Sequence, residues 1–525
     1  MIACNILDCT LRDGGYINDF RFGMDVIRDT VKKLSDANTD IIECGFLKSN
    51  SNNLDQSLYG SVEMIEKYIS PKSSNSIYVA MIAYGDISID EISECSGESI
   101  DGIRLTFHPS DIEQAFRFGK ELQKKKYKVF MQPVGTTSYT EEELLILVDK
   151  VNQLNPFAFY MVDTLGTMFN TDLLNMFHLI DGRLDKNIRI GFHSHNNLQL
   201  SFSNAITLLN ENTNRNIIID ASVFGMGRGA GNLCTELIME YINTNIGNKY
   251  DIIPVLEIYD EYINKIRLEY KWGYSLPYFI AASNQCHPNY ATHLINKQTM
   301  SIKQISVILS SMNQNKKSLY DEKYIEGLYI AYQKHIVDDS LALRRIKSEI
   351  GNRDIVIVAP GKSVSKNKQL IQQYCINNNS VVFSVNHIPK EIQIDYLFVS
   401  NYKRIKRMNE LNKAPRVIVT SNLLHNCPDD ALIINYSDYL NDDAVISDNA
   451  GLMLMNFLRA VGVKKISLAG FDGFSLNSTE NYYDFDYMNS TEYDNLIVKT
   501  QAIAKKIKSL SNYISIEFLT ESQYE

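Results

Sequence analysis

Short apolar runs alternate with amphipathic stretches along the first 225 positions of this 525-residue chain. The runs are about four to eight residues long and end in turn-forming or polar residues, as buried strands do. Helical spacing lies between them, for example from Met24 to Leu34 and from Glu141 to Leu154. Eight strand and helix repeats predict an α/β fold of the (β/α)8 TIM-barrel type. The predicted strands lie near 3–8, 39–46, 77–84, 102–107, 127–133, 157–163, 188–193 and 216–223.

The pattern changes twice after the eighth strand. Residues 234–348 have no strand series but contain amphipathic stretches such as 256–270 and 323–334, which predict a helical extension packed on a barrel domain of 1–233. A new strand, Ile355 to Ala359, then opens a third region. We predict an open-sheet, Rossmann-like α/β domain over 349–525. Its further strands are expected at 380–385, 394–399, 416–420, 431–435 and 465–470.

Composition and charge narrow the classes of function. A hydrophobic fraction of 45% with 22% charged residues is typical of a globular protein. The absence of a run of about 18 apolar residues and of a signal peptide predicts a cytoplasmic protein without membrane insertion. A formal charge of −10 argues against nucleic-acid binding through a broad basic surface. The eight scattered cysteines indicate reduced thiols, and a homo-oligomer is compatible with the sequence.

Two histidines at the end of the predicted seventh strand suggest a metal site. Side chains at i and i+2 of a strand project to the same side, so His193 and His195 could share a metal with Asp13, which follows strand 1. Active sites of such barrels form at the carboxyl ends of the strands. Glu43 and Asp163 are expected on the same rim, together with the glycine-rich segment 225–232.

Three segments resemble the signatures of the DRE-TIM metallolyase superfamily, the HMG-CoA lyase-like enzymes. Within that superfamily the chain is most similar to the 4-hydroxy-2-oxovalerate aldolases, over about residues 1–290. These enzymes cleave a 4-hydroxy-2-oxoacid to pyruvate and an aldehyde. The segments are Asp8-Cys-Thr-Leu-Arg-Asp-Gly-Gly15, Gly191-Phe-His-Ser-His-Asn-Asn-Leu-Gln-Leu200 and Asp220-Ala-Ser-Val-Phe-Gly-Met-Gly-Arg-Gly-Ala-Gly-Asn232.

The resemblance implies a divalent-metal-dependent aldolase that forms or breaks a carbon–carbon bond through a pyruvate enolate. Asp13, His193 and His195 would hold Mn2+ or Mg2+, and Asn232 is a further candidate ligand. Arg12 would stabilise the enolate oxygen because its guanidinium is always charged and has several donors. Pairing with Glu43 would orient Arg12.

One position departs from the aldolase pattern. The aldolases have a catalytic histidine where this sequence has Tyr16. A tyrosine with a pKa of about 10 is a poor base at neutral pH but can relay or donate a proton. The candidates for proton transfer are therefore Tyr16 with a metal-bound water, Tyr274, His287 and His108.

The third region resembles, more weakly, the nucleotide-binding folds of bacterial sialyltransferases. The similar segments are Ala359-Pro-Gly-Lys-Ser363, Ser384-Val-Asn-His387, Asp448-Asn-Ala-Gly451 and Ile466-Ser-Leu-Ala-Gly-Phe-Asp472. The resemblance implies a nucleotide or nucleotide-sugar ligand in contact with Gly361, Ser363, Asn386 and Asp472. It also suggests that the aldehyde is sugar-derived, or otherwise small, and that the reaction belongs to surface-polysaccharide biosynthesis.

Other functions stay open at the level of sequence. An acetyl-CoA-condensing synthase of the isopropylmalate type also uses a His-x-His site, although Asn197 to Leu200 fits the aldolases better. The chain could instead be a non-catalytic nucleotide-sugar-binding scaffold, or a glycosyltransferase that acts through its third region. The expected partners of the favoured function are small 2-oxoacids and aldehydes.

Overall fold

A computed structural model of the chain describes residues 4–390, 392–407, 416–475 and 493–525. The first residue of the strand predicted over 3–8 lies outside the described residues. The chain forms two compact units. One contains Met1–Asn289 and Gln314–Tyr320, and the other contains Tyr290–Asn313 and Asp321–Glu525.

A closed barrel of eight parallel strands forms the centre of the first unit, which confirms the predicted TIM barrel. The barrel closes because β1 pairs with β9 on one side and with β2 on the other. A short strand, β3 (Leu58–Tyr59), lies beside β2 outside the barrel. The barrel strands are β1 (Cys4–Asp8), β2 (Ile41–Leu47), β4 (Ile77–Ala83), β5 (Gly102–Phe107), β6 (Lys128–Pro133), β7 (Ala158–Asp163), β8 (Arg189–Ser194) and β9 (Ile217–Ala221).

The strands of the barrel are buried on both faces because helices cover the outside and side chains fill the inside. Leu7, Phe130 and Tyr160 pack in the interior, whereas Ile6 and Phe159 face the layer between strands and helices. The helices of this unit are α1 (Met24–Asp36), α2 (Val62–Ile69), α3 (Ile112–Lys124), α4 (Glu141–Leu154), α5 (Asn170–Arg183), α6 (Ser201–Leu209), α7 (Thr235–Asn245), α8 (Ile253–Ile258), α9 (Asn264–Glu269) and α10 (Leu276–Ser283), with a π-helical turn at Tyr259–Ile263.

The second unit contains a parallel sheet with, in the described residues, the strand order β14-β13-β12-β11-β10-β15-β16. This confirms the predicted open-sheet α/β region. The edge strand β16 was not predicted, because its short segment Ser-Ile-Glu-Phe is only partly buried and has no continuous apolar run. The strands are β10 (Ile355–Val358), β11 (Val381–Val385), β12 (Tyr396–Val399), β13 (Val417–Thr420), β14 (Leu432–Ile434), β15 (Lys465–Ala469) and β16 (Ser515–Phe518).

The segment 234–348, predicted as one helical extension, is divided between the two units: α7 to α10 belong to the first, and most of the remaining helical segment belongs to the second. No helix in the described parts of the chain is long and apolar enough to cross a membrane. The remaining helices are α11 (Pro288–Asn296), α12 (Ile302–Ser310), α13 (Glu322–Gln333), α14 (Ser340–Ile350), α15 (Ser363–Lys366), α16 (Lys368–Asn377), α17 (Tyr402–Arg407), α18 (Ala450–Val461) and α19 (Tyr493–Leu510).

Candidate metal centre and active site

Three potential metal ligands meet at the carboxyl end of the barrel. Asp13 lies in the turn after β1, and His193 and His195 lie at the end of β8. One ligand atom of each residue lies within 4.8 Å of the other two, and all three side chains are buried. Because β1 and β8 both pair with β9, the fold itself brings together residues that are 180 positions apart.

Asn232 lies against this cluster. Its backbone pairs with that of His195, and its side-chain Nδ2 donates hydrogen bonds to Asp13 Oδ2 at 2.7 Å and to the Met226 carbonyl at 3.0 Å. Its Oδ1 is buried and has no hydrogen-bond partner among the described residues. Only glycine fits at 227, because a Cβ there would lie 2.4 Å from Asn232 Nδ2. The segment after β9 therefore approaches the cluster closely.

The protonation of the cluster suits a divalent cation. His193 Nδ1 lies 3.0 Å from Asp220 Oδ2, a contact in which the ring N–H donates and the Nε2 lone pair stays available. Burial lowers the pKa of His195 to about 3, so this imidazole is neutral at physiological pH. Burial alone would raise the pKa of Asp13, but the positive charge of Arg12 lowers it well below its usual range. Carboxylate, imidazole and amide oxygen donors together fit a metal of the Mn2+ or Mg2+ class.

Arg12 is held in place while one of its donors stays free. Its Nε donates to Glu43 Oε2 at 2.7 Å, and its Nη1 donates to Asp13 Oδ1 at 2.6 Å. Its Nη2 is buried and has no hydrogen-bond partner in the described part of the chain. A fixed guanidinium with an unsatisfied N–H is suited to an oxygen that gains negative charge.

A buried charge network beneath the cluster was not predicted. Arg104, in β5, donates through Nη1 to Glu43 Oε2 at 2.7 Å and through Nη2 to Asp220 Oδ2. It thereby links the residue that orients Arg12 to the residue that orients His193. Arg104 is fully buried, and a charged residue inside an apolar strand is the signal that could have revealed it.

A cavity of about 280 Å³ opens onto this centre. Tyr16 lines it from a 3-10 turn, Gly14–Ile17, and its ring packs edge-on against Phe20 and Phe46. Burial raises the pKa of Tyr16 above its usual value. The lining residues are Arg12, Asp13, Tyr16, Phe46, Met81, Ala83, Thr106, His108, Gln132, Val134, Val162, Thr164, His193, His195, Arg228, His287, Ser318 and Leu319.

Two histidines among the predicted proton-transfer residues, His108 and His287, line the cavity. His108 lies directly after β5 and is exposed. His287 accepts a hydrogen bond at Nδ1 from the Asn289 backbone N–H at 3.2 Å, so the proton of its neutral ring lies on Nε2. Burial, together with the charge of Arg228, lowers the pKa of His287 to about 4.

Two other predicted residues lie elsewhere. Tyr274 is 57% exposed and does not line the cavity, because its short loop before α10 directs the ring to solvent. Asp163, at the end of β7, accepts backbone N–H groups of Thr167 and Met168 at 3.0 and 2.9 Å. Its carboxylate therefore closes the turn that follows the strand.

A second cavity, of about 200 Å³, lies within the second unit at the carboxyl ends of β10, β11 and β15. Of the four residues predicted to contact a nucleotide, Gly361, Asn386 and Asp472 line this cavity and Ser363 does not. Asp472 accepts hydrogen bonds from the Ser363 backbone N–H at 2.7 Å and from the Ser363 hydroxyl. The pair fastens the loop after β10 to the loop after β15.

The barrel is similar to known aldolases and decarboxylases in sequence. The HMGL-like family model matches residues 3–259. A 4-hydroxy-2-oxovalerate aldolase from Geobacillus genomosp. 3 is 28% identical over 263 residues, which are 49% of this chain and 75% of the relative. An oxaloacetate decarboxylase from Mycobacterium tuberculosis is 26% identical over 242 residues, 45% of this chain and 68% of the relative.

A solved structure has the same barrel fold. It is the crystal structure of "the N-terminal domain of a putative aldolase" from Bacteroides vulgatus, with a TM-score of 0.50 and 24% identity. The match covers 58% of this chain and 99% of that chain.

Proposed function

Since residues 3–259 belong to the HMGL-like family of metal-dependent carbon–carbon lyases, we propose that the barrel is an aldolase that uses pyruvate as its enolate partner. One observation carries the proposal. The Asp13, His193 and His195 cluster lines the same cavity as Arg12, whose Nη2 has no hydrogen-bond partner among the described residues. This combination suits a carbon–carbon lyase, because cleavage leaves negative charge on an oxygen of the 2-oxoacid.

The proposed cleavage is a retro-aldol reaction of a 4-hydroxy-2-oxoacid. A base takes the proton of the 4-hydroxyl group, the C4–O bond becomes the aldehyde carbonyl, and the C3–C4 electron pair passes to the pyruvate fragment. Arg12 Nη2 donates to the oxygen that carries the resulting charge, and C3 then takes up a proton. A bound divalent cation supplies Lewis acidity, and the mixed nitrogen and oxygen donors favour Mn2+ over Mg2+.

We propose His108 as the proton acceptor. Burial raises the pKa of Tyr16, so its hydroxyl stays protonated and cannot serve as the base. His287 Nδ1 already accepts a hydrogen bond from the Asn289 N–H, and its Nε2 carries the proton of the neutral ring. His193 and His195 belong to the ligand cluster. His108 is the remaining imidazole among the described lining residues, and its exposed position allows exchange of the proton with water.

Hydrogen exchange at the methyl group of pyruvate tests the proposed function of the barrel. The full chain with Mn2+ is expected to exchange the C3 protons of pyruvate for deuterium in D2O, which proton NMR detects without knowledge of the aldehyde. His193→Ala should lose bound metal and exchange, whereas the exposed His178→Ala should keep both. Absence of exchange by the wild type would overturn the proposal, and release of free thiol from acetyl-CoA would identify a condensing synthase instead.

We also propose that the second unit binds a nucleotide or nucleotide sugar. In support, its cavity lies at the carboxyl end of β10, which has β11 on one side and β15 on the other in the sheet. Such a reversal of strand order is the switch point at which open α/β sheets bind ligands. Gly361 has no room for a side chain, because a Cβ would lie 2.3 Å from the Gly470 carbonyl oxygen. If the second unit binds a nucleotide sugar, the aldehyde used by the barrel would be sugar-derived. We therefore propose that the two units act together in surface-polysaccharide biosynthesis.

Calorimetric titration of the full chain with CMP and UDP tests this second proposal. We expect binding by the wild type and at least about tenfold weaker binding by Asn386→Ala, which removes an amide that lines the cavity. Asn378→Ala, at the exposed end of α16, is the matched control and should bind as the wild type does. Equal affinity in the wild type and Asn386→Ala, or no binding at all, would overturn the proposal.

A further inference from the structure

Arg228 brings into the barrel cavity a positive charge that forms no ion pair with an acidic side chain among the described residues. The cavity lining contains two arginines and four histidines but one carboxylate, that of Asp13. Arg12 already pairs with Asp13 and Glu43. In the part of the chain that the structure describes, Arg228 forms no side-chain hydrogen bond or ion pair, and its guanidinium contacts the ring of Tyr16.

The contact with Tyr16 orients the guanidinium without using its donors. Arg228 Cζ lies 4.1 Å from the centroid of the Tyr16 ring. Stacking occupies the face of a guanidinium and leaves its N–H groups, which point outward in its plane, available for an oxyanion. Tyr16 is itself fixed, because its ring packs against Phe20 at 5.1 Å and against Phe46 at 6.0 Å between centroids.

The backbone that carries Arg228 is also fixed. Its carbonyl accepts a hydrogen bond from the Gly231 N–H at 3.1 Å, which closes a turn. Asn197 Oδ1 accepts from the Ala230 N–H at 2.9 Å, and Asn197 Nδ2 donates to the Leu165 carbonyl at 2.9 Å. A side chain on such a segment has a defined position, as a residue that selects among ligands requires.

Arg228 lines the main cavity together with residues outside the candidate pyruvate-binding groups, among them Thr164, His287 and Ser318. A smaller adjoining cavity is lined by Thr164, His195, Asn197, Arg228, His287, Pro288 and Asn289. Arg12, Asp13 and His193 are absent from that lining, although all three line the main cavity. The main cavity, at about 280 Å³, therefore has room beside Arg228 for the part of a substrate that lies beyond the 2-oxoacid, whereas the adjoining cavity, at about 20 Å³, has room for about one water molecule.

We propose that Arg228 selects an aldehyde that carries an anionic group, a phosphate or a carboxylate. The inference rests on the proposed function, in which the oxygens of pyruvate lie at the Asp13, His193 and His195 cluster. An unpaired guanidinium in a half-buried position gains two parallel charge-assisted hydrogen bonds from such a group, and a neutral aldehyde offers it none.

Two matched pairs of aldehydes test the inference and distinguish the two anions. With Mn2+ and pyruvate, D-glyceraldehyde 3-phosphate is compared with D-glyceraldehyde, and succinic semialdehyde with butanal, by mass spectrometry of the condensation products. In at least one pair the wild type should favour the anion in kcat/KM by about tenfold or more. Arg228→Met should reduce that ratio to about one, mainly through KM, and Arg228→Lys should keep part of it.

Two controls keep the outcomes separate. Arg117→Met removes an exposed arginine of α3 and should leave the ratio unchanged. Calorimetry gives a readout without catalysis, with glycerol 3-phosphate against glycerol if the phosphate pair is favoured and butyrate against 1-butanol if the carboxylate pair is favoured: the wild type should prefer the anion, and Arg228→Met should not. A wild type without preference, or a preference that survives Arg228→Met, would overturn the inference. A wild type that does not exchange pyruvate protons would instead overturn the proposed function.

Discussion

The two units each have a cavity at the carboxyl ends of parallel strands, but they use their polar residues differently. In the barrel, Arg12 and Asn232 each keep, beside the candidate metal ligands, one buried polar atom that has no partner in the described residues. In the second unit, Ser363 and Asp472 bind each other, with both carboxylate oxygens engaged. The difference teaches that a polar residue after a strand is a good candidate for ligand contact when its atoms are left unsatisfied.

The largest effect should come from Arg104→Met, which tests whether the barrel site depends on the charge network beneath it. Arg104 is fully buried between Glu43 and Asp220, so the substitution leaves two carboxylates without their shared cation. Loss of one partner of a buried ion pair costs about 3–5 kcal/mol of stability. Urea unfolding of the metal-free protein measures this, with the exposed Arg117→Met as control. A loss under about 1 kcal/mol would contradict the role of the network.

Arg12→Lys separates catalysis from metal binding at the same site. A lysine cannot bond to Glu43 and Asp13 as the guanidinium does and still present a free donor. Removal of such a donor lowers rates by about 100-fold to 1,000-fold, so pyruvate proton exchange should fall by that factor while the manganese content stays the same. Arg21→Lys, an exposed change a few residues away, is the control. Unchanged exchange would show that the free Nη2 has no catalytic role.

The architecture and the ligand cluster were predictable because they depend on local patterns. Apolar runs and their spacing identified all eight barrel strands, and the alternation of side chains along β8 placed His193 and His195 on one side. The barrel then fixes where strand ends meet, so Asp13 could be assigned to the same rim from its position after β1.

The charge partners were not predictable, because pairing depends on how strands align across the barrel. Arg104 meets Glu43 and Asp220 from residues 61 and 116 positions away. The contact of Arg228 with Tyr16 likewise joins the loop after β9 to the turn after β1. Tyr274 illustrates the opposite case, since it was a candidate for proton transfer in the sequence but its ring is exposed and lies outside the cavity.

His287→Gln tests whether the barrel cavity tolerates protonation. The pKa of His287 is about 4 in the folded protein and about 6.5 when unfolded, so the unfolded chain binds more protons between these values. Stability is therefore full above about pH 6.5 and falls as the pH drops toward 4. The variant should lose about 1–2 kcal/mol less than the wild type between pH 7.5 and 5.0 in urea unfolding without metal. The exposed His178→Gln should follow the wild type, and a variant as acid-sensitive as the wild type would refute the assignment.

The smallest effect, that of Ser363→Ala, decides whether the two cavities really differ. The substitution removes the hydroxyl bond to Asp472 but keeps the backbone N–H bond, so the second unit should lose about 1 kcal/mol of stability. Nucleotide affinity should stay within about threefold, because Ser363 does not line the cavity. Ser365→Ala, at an exposed neighbouring serine, is the control in urea unfolding and calorimetry. If Ser363→Ala abolished nucleotide binding at unchanged stability, Ser363 would be a ligand contact, and the two cavities would use their polar residues alike.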